Sequence, residues 1–109
     1  MNGKRKKETK KFYIGKGIKS DDARSPVKGS PNTNLDFYDK KSGAFLSRRK
    51  FGNDGNARKD LDKGHFDHNT EDHVHDYKDS KRLNERKLSR KERRELQKAK
   101  KKRRVWKND

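Results

Sequence analysis

Cysteine is absent from this chain of 109 residues. No disulfide framework can brace it, and no thiolate can serve as a zinc ligand or a nucleophile. Proline is scarce, with two residues, and hydrophobic side chains make up only 23%. So little apolar material excludes a large core and leaves room for one small domain. No run approaches the roughly 20 apolar residues that a bilayer requires, so neither a transmembrane helix nor a membrane partner is expected. The basic start, Met1 to Lys11, has no apolar stretch behind it and does not read as a secretory signal. A cytoplasmic location is the expectation.

Charge is what the chain has in abundance. Lys and Arg number 34 against 17 Asp and Glu, for a formal net charge of +17. The excess sits at the two ends. Residues 1–19 carry eight basic residues and one Glu, and residues 78–109 carry sixteen basic and five acidic ones. Between them, residues 20–77 hold ten basic and eleven acidic residues. The sequence therefore divides into a basic, disordered arm at 1–11, a nearly neutral β-rich domain at 12–80, and a basic helix or tail at 81–109. A polyanion is the partner such ends imply.

The middle carries most of the aromatics and all four histidines. Leu35, Phe37, Phe45 and Phe51 recur in short runs, separated by Asp39-Lys40-Lys41-Ser42-Gly43 and by Gly52-Asn53-Asp54-Gly55-Asn56. Asp, Asn and Gly at these points suit tight turns. Strands are expected near 34–39, 44–51 and 57–62 as an antiparallel meander, with an earlier short one at Phe12-Tyr13-Ile14. His73-Val74-His75-Asp76-Tyr77 reads as a last strand, placing His73, His75 and Tyr77 on one face and Val74 on the other. From Leu83 onward the composition is helical. Ser89-Arg90-Lys91-Glu92 fits a capping box. The helix that follows has so narrow an apolar stripe that it is expected to be mostly solvated and completed by a polyanion. The predicted fold is α+β: a small twisted antiparallel sheet of three to five strands, then a basic C-terminal helix.

Two features carry chemistry. His65, His68, His73 and His75 fall within eleven residues, among Asp60, Asp62, Asp67, Asp72 and Asp76. Imidazole exchanges protons near neutrality, and neighbouring carboxylates raise its pKa and fix its tautomer. Two histidines with a cation could cleave RNA without a metal or other cofactor, which makes His65, His73 and His75 candidate catalytic residues. The same four, His65, His68, His73 and His75, could alternatively hold a divalent metal in a metal-dependent nuclease. The second feature is the tail, where ten of the fifteen residues from Arg90 to Arg104 are basic. Arg86, Lys87, Arg90, Lys91, Arg93, Arg94, Lys98, Lys100, Lys101, Lys102, Arg103 and Arg104 are candidate nucleic-acid contacts, reading charge rather than sequence.

The order of these pieces has a resemblance. Pro31-Asn32-Thr33-Asn34-Leu35-Asp36-Phe37-Tyr38-Asp39, the Gly43 turn, Arg48-Arg49-Lys50-Phe51-Gly52, Asp54-Gly55-Asn56-Ala57, Asp60-Leu61-Asp62, His65 and His73-Val74-His75-Asp76-Tyr77 resemble a small histidine-containing module at the C-termini of bacterial polymorphic toxins. Related modules occur in phage and mobile-element proteins. The run covers about residues 25–80. The resemblance implies a β-rich domain acting on nucleic acid, His65, His73 and His75 as site residues, and an acidic partner such as an immunity protein. A start at its own Met without a carrier region, and the cationic tail, fit a free-standing phage or mobile-element relative better than a secreted toxin. The expected function is binding of nucleic acid, RNA or a ribonucleoprotein, with toxin-like ribonuclease chemistry at the histidines. The first alternative is a non-enzymatic binding or packaging protein.

Overall fold

The structure, a computed structural model, describes residues 9–14, 28–39, 41–64 and 70–101. Its strands begin and end where the turn residues place them. The carboxylate of Asp39 closes β2 (Asn34–Asp39) by accepting the backbone N–H of Lys41 at 2.8 Å and of Ser42 at 3.0 Å. The chain then reverses into β3 (Phe45–Phe51). Asp54 makes the next turn by accepting the N–H of Asn56 at 3.0 Å. Gly55 follows at φ 80°, where a Cβ would stand 2.6 Å from the carbonyl oxygen of Gly29. Only glycine combines that dihedral with that approach. β4 (Ala57–Asp62) and β5 (His73–Lys78) continue the meander.

A further hairpin follows. Asp79 and Ser80 take φ values of 52° and 66° between the paired residues Lys78 and Lys81. Two left-handed central residues define the turn whose twist matches that of two-residue hairpins. It leads into β6 (Lys81–Arg86), so the sheet extends to residue 86 rather than ending near 80. The helical reading of 81–86 is thereby corrected. Lys, Arg, Leu and Glu favour helix intrinsically, but pairing with β5 overrides that weak preference. At the other end β1 (Thr9–Ile14) runs parallel to β2, so residues 9–11, assigned to the disordered arm, belong to a strand. Residues 1–8 lie outside the described residues. Strand order equals chain order, β1 to β6, and all pairings from β2 onward are antiparallel.

α1 (Arg90–Lys100) lies across one face of the sheet. Ser89 caps it: its hydroxyl accepts the N–H of Glu92 at 3.2 Å, and the Glu92 carboxylate accepts the N–H of Ser89 at 2.8 Å. Leu96 and Ala99 pack on Tyr38, Phe45, Leu61 and Val74. Burying a side chain such as Leu96 contributes about 1.5 to 3 kcal/mol. Two glutamates complete the contact. Glu95 accepts Lys50 Nζ at 2.7 Å and Arg48 Nη1 at 3.0 Å, and Glu92 accepts Lys59 Nζ at 2.7 Å. The helix is thus docked on the sheet along a narrow stripe of Glu92, Leu96 and Ala99, while most of its remaining residues are solvated, as the narrow apolar stripe predicts.

The opposite face joins Leu35, Phe37, Phe51 and Ala57 to an ion pair. Arg49, 1% exposed, donates to Asp60, fully buried, from Nε at 2.9 Å and Nη2 at 3.0 Å. The guanidinium also lies 5.2 Å from the Phe37 ring centroid and 5.6 Å from that of Tyr77, within cation–π range. In a chain short of apolar residues, charge pairs fill the volume that leucine or valine would otherwise occupy. No helix among the described residues is long and apolar enough to cross a membrane.

Candidate functional site

Alternation along β5 positions the histidines. Val74 packs under α1 with Leu61 of neighbouring β4, so His73 and His75 project from the other face, as Asp60 and Asp62 do on β4. The register pairs Asp62 with His73 directly and Leu61 with Val74. Three side chains meet there. His73 Nε2 lies 3.5 Å and His75 Nε2 3.7 Å from Asp62 Oδ2. The two rings stand edge to face, at 82° with centroids 5.1 Å apart.

Hydrogen bonds define how each group presents itself. His73 Nδ1 lies 2.8 Å from the carbonyl oxygen of Glu71, and His75 Nδ1 2.8 Å from that of Leu83. A carbonyl accepts only, so each Nδ1 carries a hydrogen and each ring turns its Nε2 toward Asp62. Asp62 is itself fixed: Oδ1 accepts Ser47 Oγ at 2.5 Å and Oδ2 accepts Arg82 Nη2 at 2.7 Å. Burial works against the charge on Asp62. The hydrogen bonds from His73 and Ser47, with the charge of Arg82, outweigh it and hold the carboxyl below its usual range. Asp62 in turn raises the pKa of His73, against the opposing effect of burial. His73 is 3% exposed, whereas the His75 side chain keeps 12% of its surface open.

The arrangement can share a proton, orient an imidazole or hold a cation. It unites two of the three candidate catalytic residues, His73 and His75. His65, like His68, lies outside the described residues. Asp62 reads from sequence only as a strand-end residue. Its period-two relation to Asp60 on a strand opposite His73 and His75 is the signal that places it in the site. Arg82 and Ser47 have no such signal.

The cationic candidates divide sharply. Arg90, Lys91, Arg93, Arg94, Lys98 and Lys101 are all exposed on α1 and its C-cap, and Lys87 is exposed just before it. Both acids of the helix, Glu92 and Glu95, are turned to the sheet and matched by Lys59, Arg86, Lys50 and Arg48. Arg86 is therefore an internal partner: Nη2 donates to Asp76 at 3.0 Å and to Glu92 at 2.8 Å. Lys100 donates to Asp72 at 2.7 Å, tying the helix end to the strand that follows the loop. Lys102, Arg103 and Arg104 lie outside the described residues.

The charged groups that the outer helix surface displays are thus all cations. It is also placed against the helix's own interest. Arg90, Lys91, Arg93 and Arg94 crowd the N-terminal half, where the macrodipole disfavours positive charge. Arg90–Arg94 and Arg94–Lys98 are like-charge pairs four residues apart, each destabilising by about 0.2 to 0.5 kcal/mol. No protein-family model matches the chain, and no curated protein or solved structure does.

Proposed function

We propose that this protein binds nucleic acid through the outer face of α1. The observation that supports the reading is the segregation of charge on that helix: six exposed cations outward, both glutamates inward. Self-repulsion at such a surface is relieved when phosphates take the place of counterions. Ten residues of helical rise extend about 15 Å, a length along which one strand offers several phosphates. The surface reads charge and backbone position, so little sequence preference is expected. RNA, alone or in a ribonucleoprotein, is the ligand class the chain's basic ends suit.

RNA cleavage by His73 and His75 is the second reading. Its support is the convergence of two imidazole Nε2 atoms beside an orienting carboxylate. Against it stands the aim of both atoms, inward to buried Asp62 and on the sheet face away from the cationic helix. Incubating the full chain with end-labelled RNA and DNA, with and without EDTA, separates the readings. Retarded but intact RNA is expected. Products that persist in EDTA would make the histidine pair the functional centre, and no retardation at low salt would remove nucleic acid as the ligand.

A further inference from the structure

We infer that Asp62, His73 and His75 form a binding site for one divalent transition-metal ion of the zinc class. The ligand atoms of the three residues all lie within 4.8 Å of one another. Zinc bonds of about 2.0 to 2.1 Å in tetrahedral array place neighbouring ligand atoms about 3.3 Å apart. The separations from Asp62 Oδ2 to the two Nε2 atoms, 3.5 and 3.7 Å, are close to that edge. Those two edges need to shorten by a few tenths of an ångström, and the two Nε2 atoms, within 4.8 Å of each other, would draw together about the ion.

The surroundings match what a metal requires of its ligands. Each Nδ1 is occupied by a backbone carbonyl, of Glu71 and of Leu83, which is the outer partner that orients a ligating histidine and presents Nε2. Ser47 and Arg82 hold the carboxylate in the same way. Arg82 uses one lone pair of Oδ2, and a carboxylate oxygen retains another. The guanidinium would oppose a nearby cation, but Arg82 Nε also donates to Asp60 at 3.2 Å, so its charge is shared with a second carboxylate. Two imidazoles and one carboxylate are borderline donors that suit zinc, cobalt or iron better than magnesium or calcium. The three ligands among the described residues would leave a fourth position of a tetrahedral ion to another donor.

The alternative occupant is a proton. His73 gains a proton readily beside Asp62. One proton satisfies one of the two converging rings, however, and a divalent ion satisfies both at once. A ligating imidazole must be deprotonated at the bound nitrogen, so affinity should rise with pH.

Titration of the full chain with ZnCl2, followed by calorimetry, and with CoCl2, followed by visible absorption, tests the site. One ion per chain is expected, with intensified Co2+ bands indicating four-coordination. At a hundredfold excess of Zn2+ over Kd, Tm should rise by about 10 °C. His75→Ala, at the more open position, should weaken Zn2+ by more than the roughly 10- to 100-fold that loss of an outer partner costs. His73→Ala should do the same if circular dichroism shows it folded. Binding that survives His75→Ala unchanged would place the metal elsewhere on the chain and overturn the assignment. So would no binding by the parent at 100-fold molar excess of about 10 μM protein. Nucleic-acid retardation is read separately on the same variants, because α1 lies on the other sheet face.

Discussion

Replacing Asp60 with Asn tests how this protein stays folded with so few apolar side chains. Asp60 accepts Arg49 Nε at 2.9 Å and Nη2 at 3.0 Å, the Tyr77 hydroxyl at 2.9 Å and Arg82 Nε at 3.2 Å. Asn keeps the shape but removes the charge, leaving the 1%-exposed Arg49 side chain facing a neutral amide. Breaking a buried pair on one side is worth about 3 to 5 kcal/mol. A chain of this length has about 5 to 15 kcal/mol in total, and the lower part of that range suits its thin core. With a urea dependence of about 1 to 1.5 kcal/mol per molar, the midpoint should fall by about 2 to 5 M. Asp60→Asn should therefore be largely unfolded or melt far below the parent by far-ultraviolet circular dichroism. The double variant Arg49→Leu, Asp60→Leu should recover much of the loss, since apolar residues of similar volume often replace a buried pair at little cost. A midpoint for Asp60→Asn within about 0.5 M of the parent would refute the reasoning, because removing the buried carboxylate charge beside Arg49 cannot be that cheap.

Other outcomes follow from the packing of α1. Leu96→Ala, which uncovers Tyr38, Phe45, Leu61 and Val74, should cost about 2 to 5 kcal/mol by chemical denaturation. Truncation before Leu88 should abolish a cooperative transition, so the sheet and helix should fold as one body. Ser89→Ala removes the cap on the Glu92 N–H and should cost about 0.5 to 2 kcal/mol, measurable as a lower Tm. Acid should weaken the helix–sheet contact. Arg86 first, then Lys59 and the Ser89 N–H, hold the Glu92 carboxyl well below the usual carboxylate range, against burial. Its contribution is complete above the ordinary value of 4.5 and is lost as pH falls from there toward the folded pKa. Urea midpoints measured from pH 7 to pH 3 should drop below about pH 5, and Glu92→Gln should flatten that part of the profile.

Turn chemistry made most of the sheet legible. Asp39, Gly43, Asp54 and Gly55 mark ends that hold to within a residue, and the Ser89–Glu92 box marks the helix start. The opposed faces of Val74 and His73 follow from period two alone. β6 was obscured because Lys81-Arg82-Leu83-Asn84-Glu85-Arg86 prefers helix locally and is a strand only through its partner. The Asp79-Ser80 pair before it was the overlooked mark, since both residues tolerate turns. Buried Arg48 and Arg49 could not be anticipated from composition, because arginine is ordinarily exposed and each is buried here by a carboxylate on the adjacent strand. The histidine site was half legible for the same reason. His73 and His75 share a face by sequence, but Asp62 and Arg82 join them through the β4–β5–β6 register.

The most direct measurement for the central claim is the salt dependence of RNA binding by a variant neutralised on the outer helix face. Arg90→Gln, Arg93→Gln, Arg94→Gln and Lys98→Gln together remove four exposed cations of α1. They leave Ser89, Glu92, Leu96 and Ala99 in place. Each phosphate contact contributes about 0.7 to the slope of log affinity against log salt for a single strand. The slope should therefore fall by about 3, while Tm stays level or rises slightly as like-charge pairs are removed. An unchanged slope in a folded variant would contradict the account, because these four cations of α1 would then touch no phosphate.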